Sequence, residues 1–108
     1  MKLFYIQETI GISDDGEVSK LTVEEFVKET DSLWDAVHEV KFFWEGQGFK
    51  IPYIRMRIRS EIYPETSYVW IDFGSYDLFY KLYFKDSELE KVNKALRDEE
   101  RGNENEKI

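Results

Sequence analysis

The stretch YIRMRIRSEIYPETSYVWIDFGSYDLFYKLYF, residues 53–84, decides the fold. In three runs apolar residues take every second position. Ile54, Met56 and Ile58 alternate with Arg55, Arg57 and Arg59. Val69, Ile71 and Phe73 alternate with Tyr68, Trp70 and Asp72. Leu78, Tyr80, Leu82 and Phe84 alternate with Phe79, Lys81 and Tyr83. A period of two belongs to a strand that buries one face. Tyr53–Arg59, Ser67–Phe73 and Leu78–Phe84 are therefore expected as strands, separated by a loop at Pro64-Glu65-Thr66 and a turn at Gly74-Ser75-Tyr76-Asp77. Connections this short make the three strands antiparallel neighbours. Pro52 has no N–H to give to a ladder, so it marks an edge, a bulge or the start of the first strand.

Upstream, Leu3–Ile6 is a short β-forming run, and Ile10 and Ile12 continue in alternation. Asp14-Asp15-Gly16 is a turn signal and Val18 begins a return strand, which together predict a hairpin. Thr22-Val23-Glu24-Glu25 has the form of a capping box and predicts a helix over Val23–Thr30. Asp31-Ser32 is a second N-cap signal, ahead of Leu33, Trp34, Val37 and Val40 at helical spacing. Val40, Phe42 and Trp44 then alternate, so a switch from helix to strand is expected near Val37–Val40, with Glu45-Gly46-Gln47-Gly48 as a turn. Downstream, Ser87-Glu88-Leu89-Glu90 is another capping box; Leu89, Val92 and Leu96 follow at helical spacing, and Gly102 fits a C-cap after a helix ending near Arg101.

The expected fold class is α+β: an antiparallel β-meander sheet of four to five strands packed against two to three helices. Residues 1–101 are read as a single domain and residues 102–108 as a frayed polar C-terminal tail.

Composition narrows the function classes. The 108 residues are 42% apolar, enough for a core without staples, and 17% aromatic, enough that some rings must reach the surface. There is no cysteine, which excludes disulfides, thiolate metal sites and a cysteine nucleophile. His38 is the single histidine and has no partner nearby in sequence, so it is read as a surface or structural residue. Asp14, Asp15 and Glu17 surround Gly16 without the spacing of a calcium loop. No phosphate loop, nucleophile elbow or zinc spacing occurs. The expectation is no catalytic residue, no metal and no cofactor. No apolar run approaches the ~18 residues of a membrane span. The chain is read as cytoplasmic, of a cell or of a virus-infected host, with no membrane partner.

Charge is divided along the chain. The net value is −8, but residues 1–40 carry 3 basic and 10 acidic side chains, residues 41–85 carry 7 and 5, and residues 86–108 carry 5 and 8. The basic middle contains the sharpest feature, a stripe of Arg55, Arg57 and Arg59 on one strand face, ~6.6 Å apart. Neighbouring strands add Tyr68, Trp70, Phe79, Lys81 and Tyr83 to the same face. Arginines among aromatics resemble in kind a platform for single-stranded nucleic acid. The competing expectation, favoured by the net charge, is that acidic helices of the same molecule lie across the stripe and neutralise it. Glu24, Glu25, Asp31 and Asp35 form the other candidate, an acidic interaction surface able to approach a basic partner.

Missing catalytic motifs, surplus aromatics and divided charge lead to a small non-enzymatic interaction module. A protein, or a second copy of the chain as a homodimer, is the first candidate partner. An inhibitor of the viral or phage type is a narrower version of that expectation. A binder of single-stranded nucleic acid or nucleotide is the alternative, and an enzyme with an unrecognised site the third.

Overall fold

A computed structural model describes the backbone of residues 1–61 and 66–106, with side chains up to Asp98. Five strands form one antiparallel sheet: β1 (Lys2–Ile12), β2 (Val18–Glu29), β3 (Arg55–Glu61), β4 (Thr66–Asp72) and β5 (Leu78–Phe84), in the order β2-β1-β5-β4-β3. Two α-helices complete the α+β fold, α1 (Leu33–Gly46) and α2 (Leu89–Glu106), the second preceded by a 3₁₀ turn at Asp86–Glu88.

The three central strands form as their alternation requires. β3 pairs with β4 and β4 with β5, in a register that sets Arg57 opposite Trp70 and Trp70 opposite Lys81. The loop expected at Pro64-Glu65-Thr66 lies outside the described residues, apart from Thr66, which opens β4. The hairpin is longer than its two apolar runs suggested. β1 pairs with β2 along its whole length, whereas it pairs with β5 only over Lys2–Gln7. The distal half of the hairpin therefore runs beyond the body of the sheet, with Ile10 and Ile12 about 70% exposed (69% and 74%). Gly16 closes it: its N–H donates to the Ser13 carbonyl at 2.9 Å, and its φ of +86° suits only glycine comfortably.

Three sequence expectations fail here. In place of the helix expected over Val23–Thr30, the chain forms the second half of β2, which ends at Glu29. The capping box is a local signal, worth about 1 kcal/mol, and it loses to a complete ladder with β1. Leu21 and Val23, alternating with Thr22 and Glu24, carried the competing period of two. The switch to strand near Val37–Val40 does not occur either. Ser32 caps α1, its Oγ accepting from the Asp35 N–H at 3.1 Å, and the helix continues to Gly46. Its buried stripe is Leu33, Ala36, Val37 and Val40, with half-buried Trp44 one turn further. Phe42, which with Val40 and Trp44 suggested alternation, lies on its solvent side. The helix ends in a Schellman arrangement: Phe49 N–H donates to the Trp44 carbonyl and Gly48 N–H to Glu45, both at 3.0 Å, with Gly48 at φ +85°. At the other end of the chain α2 passes through Gly102 rather than stopping there.

Both helices pack on one face of the sheet. The core joins Leu3 of β1, Val69 and Ile71 of β4, and Tyr80, Leu82 and Phe84 of β5 to the α1 stripe and to Val92 of α2. Trp44 fastens α1 to the sheet, donating from Nε1 to the Tyr80 hydroxyl at 2.8 Å while stacking on Phe73. Burial pushes the Tyr80 phenol up to about 12, so it remains a neutral acceptor.

Gly74 gives a test of how the segment before β3 is held. Its φ is +89°, and a Cβ there would stand 2.6 Å from Pro52 Cγ. Gly74→Ala is expected to cost about 2 kcal/mol or more in urea unfolding. Gly46→Ala, where a Cβ would meet nothing within 4 Å, is expected to be neutral or slightly stabilising.

Candidate functional site: the open face of the sheet

The helices occupy one face, so the side chains of opposite parity form the other. Along β3 these are Arg55, Arg57, Arg59 and Glu61; along β4, Tyr68, Trp70 and Asp72; along β5, Phe79, Lys81 and Tyr83. β1 adds Phe4, Ile6 and Glu8, and β2 adds Phe26, Glu24 and Lys20. The register thus brings together the seven residues Arg55, Arg57, Arg59, Tyr68, Trp70, Lys81 and Tyr83. No described helix crosses them, so among the described residues the expected neutralisation by acidic helices does not occur. Physically, α1 and α2 each have one apolar stripe, and only the other sheet face is apolar enough to bury both.

Lys81 organises this face from the middle strand. Its Nζ lies 2.8 Å from Glu61 Oε1 of β3 and 3.3 Å from Glu24 Oε1 of β2, and 4.9 Å above the Tyr68 ring. Tyr83 donates to the same Glu61 oxygen at 2.7 Å. These links cover the sheet without a helix: Tyr68 is buried, and Ile6, on the same face, is fully buried. Phe4 meets Phe26 on one side and Tyr83 on the other, with ring centres 5.5 and 5.3 Å away. Partial burial works against the Lys81 charge, but hydrogen bonds to Glu61 and Glu24 outweigh it and hold its pKa above the usual lysine value. The Glu61 carboxyl is held below its ordinary value by the hydrogen bonds from Lys81 and then Tyr83. Burial and the bond to Glu61 push the Tyr83 phenol up.

The arginines are arranged differently. Among the described residues none of the three forms an ion pair. They lie over rings instead: Arg57 and Arg59 over Trp70, at 5.3 and 4.6 Å from its centre, and Arg55 over Tyr53 at 4.5 Å. Contacts of this kind contribute ~0.5–1 kcal/mol each at exposed sites and offset the repulsion along the stripe. All three remain exposed. Asp72, opposite Arg55, spends one oxygen on the Gly74 N–H at 3.0 Å.

The four acidic candidates do not gather. Glu24 is on the open face, while Glu25 faces the other way, into a groove of about 450 Å³ between β2 and α1 that it shares with Tyr5, Glu39, Phe43 and Trp44. Asp31 lies in the β2–α1 connection, where its carbonyl accepts from Lys91 Nζ at 2.9 Å, and Asp35 sits in the first turn of α1. His38 is exposed on α1, stacked against Phe42. Among the described residues no three His, Asp or Glu side chains gather as metal ligands, and no helix is long and apolar enough to cross a membrane. Glu61 was missed in the sequence. It continues the odd-numbered series of Arg55, Arg57 and Arg59, so strand parity alone would have placed it on the same face as Lys81. Comparison with protein-family models, with curated proteins and with solved structures finds no match to the chain.

The Glu61 carboxyl makes stability depend on pH. Because its folded pKa lies below the unfolded value of roughly 4.5, its contribution is complete above that value and disappears as pH falls through the folded one. Glu61→Gln is expected to lower stability at pH 7 by about 1 kcal/mol. The gap to the parent should close when urea unfolding is repeated near pH 3.

Proposed function

We propose that this protein is a non-enzymatic binding module whose open sheet face takes an acidic stretch of a protein partner. One observation carries the reading: three exposed arginines stand in a row on the outermost strand with no carboxylate partner among the described residues, while Lys81 close by is already held by two. The unpaired charges are therefore those at the sheet edge, where an incoming chain can reach them. Arginine suits the role, since its planar fork meets a carboxylate through two parallel hydrogen bonds.

Single-stranded nucleic acid is the second reading, favoured by Trp70 between the arginines. Three features count against it. A stacking platform needs free ring faces, but Trp70 carries two guanidiniums and Tyr68 is buried beneath Lys81. Glu8, Glu24, Glu61 and Asp72 stand among the basic groups and oppose a run of phosphates. The whole chain carries a net charge of −8.

Arg57→Glu separates the readings. Titrated with a glutamate-rich peptide at low salt, the parent is expected to bind weakly, with affinity falling as salt rises. Arg57→Glu should abolish that binding and change the melting temperature little, because Arg57 is exposed, has no carboxylate partner among the described residues, and loses only its contact with Trp70 while relieving repulsion along the stripe. Tighter, steeply salt-dependent binding of a short oligothymidylate by the parent, lost in Arg57→Glu, would favour the second reading instead. Binding of neither probe would overturn both.

A further inference from the structure

β2 is an edge strand of twelve residues, Val18–Glu29, exposed along its whole length and free of proline. Natural sheets blunt such edges with short strands, proline, charged side chains, bulges or helical cover; β2 is long and free of proline, its bulge lies beyond Phe26, and its charges over Val18–Phe26 are of both signs, Lys20 with Glu24 and Glu25. The phase of its ladder follows from the hairpin end. Ser13 N–H donates to the Glu17 carbonyl at 2.9 Å, so residues 19, 21, 23 and 25 turn their main-chain groups toward β1. The main-chain groups of Val18, Lys20, Thr22 and Glu24 are then directed outward from the edge.

We propose that this edge pairs with the same edge of a second copy, antiparallel, about a twofold axis through Thr22. The residues of β2 are self-complementary about that point. Opposite one another, from copy to copy, come Thr22 and Thr22, Lys20 and Glu24, and Val18 and Phe26, all on the open face. Leu21 meets Val23 and Ser19 meets Glu25 on the helix face. Each lysine faces a carboxylate and each apolar residue an apolar one, twice over by symmetry.

The neighbouring registers lack this match. Centred on Val23, Leu21 meets Glu25 and Lys20 meets Phe26. Centred on Leu21, Val18 meets Glu24. Centred on Glu24, two carboxylates oppose each other. Registers between these put the open face of one copy against the helix face of the other and break the pleat. The apolar side chains involved are already exposed and would gain cover: Phe26 is 56% exposed, Val18 70% and Leu21 64%. The product is one continuous sheet of ten strands with an arginine stripe at each far edge.

The test uses the whole chain, which has no cysteine of its own. Sedimentation equilibrium should return twice the 13.0 kDa chain mass at high concentration, falling toward the single mass on dilution. Lys20→Glu and Glu24→Lys should each weaken association roughly tenfold or more, since each sets like charges opposite. Mixing the two variants should restore a heterodimer. Thr22→Cys is the fold-neutral arm: paired Cα atoms about 5.5 Å apart suit a disulfide, so mild oxidation should link two copies. Val23→Cys should link far less. A single-chain mass at every concentration, no recovery on mixing, or preferential linkage through Val23→Cys would each overturn the proposal.

Discussion

The ion pairs of Lys81 hold the open half of this structure together. β5 is the middle strand of five, and from it one ammonium reaches a carboxylate of β2 on one side and of β3 on the other. Both outer strands are thereby tied to the centre on the face that has no helix. The arrangement also decides what remains available. Lys81 is only 15% exposed and is occupied, Tyr68 lies beneath it, and Glu61 is shared with Tyr83. The arginines of β3 lie outside this network, and among the described residues their partners are aromatic rings. A face that looks uniformly basic and aromatic in sequence thus divides into a closed, internally satisfied centre and an open cationic edge.

The two faces solve the burial problem by different means. On the helix side, mainly apolar residues from α1, α2 and three strands close a conventional core, with the Trp44–Tyr80 hydrogen bond as a polar fastening within it. On the other side the cover is made of long amphipathic side chains lying flat, aromatic rings edge to face and an ion-pair chain above them. This explains why the chain needs so many aromatics with only two helices. Rings and long charged stems do for one face what helices do for the other. Cover of this kind thins toward the sheet edges, which is where the arginine stripe and the bare β2 edge are found.

Strand alternation was readable wherever a strand has one apolar face. β5 matches its expected limits, and β3 and β4 match theirs to within two residues. Parity likewise placed all seven basic and aromatic candidates on one face, because a period of two cannot be mistaken over three consecutive strands. It failed where a local signal and a long-range partner disagreed. Thr22-Val23-Glu24-Glu25 carries good capping chemistry, but β1 offers these same residues a full ladder, and a partner this far upstream leaves no trace in a short window. Phe42 misled for a related reason. It is apolar yet exposed on α1, so with Val40 and Trp44 it simulates the alternation of a strand that is not there. Whether a face would be covered could not be read at all, since that depends on how many apolar stripes the helices possess and not on the face itself.

The position of β1 has a kinetic consequence. The hairpin β1–β2 closes through a five-residue turn, and β3, β4 and β5 follow one another as neighbours, so both units contain only nearby contacts. They meet along one seam, Lys2–Gln7 of β1 against Leu78–Tyr83 of β5, where Lys2 pairs with a residue 81 positions away. Closing so long a loop costs entropy before any contact across it is gained. The seam, with the helix-face core above it formed by Leu3, Leu82 and Tyr80, is therefore expected to form after the local contacts within each unit. Until it forms, two preassembled half-sheets each present a bare edge, and the rate at which those edges find one another limits how long the nascent protein stays vulnerable to mispairing.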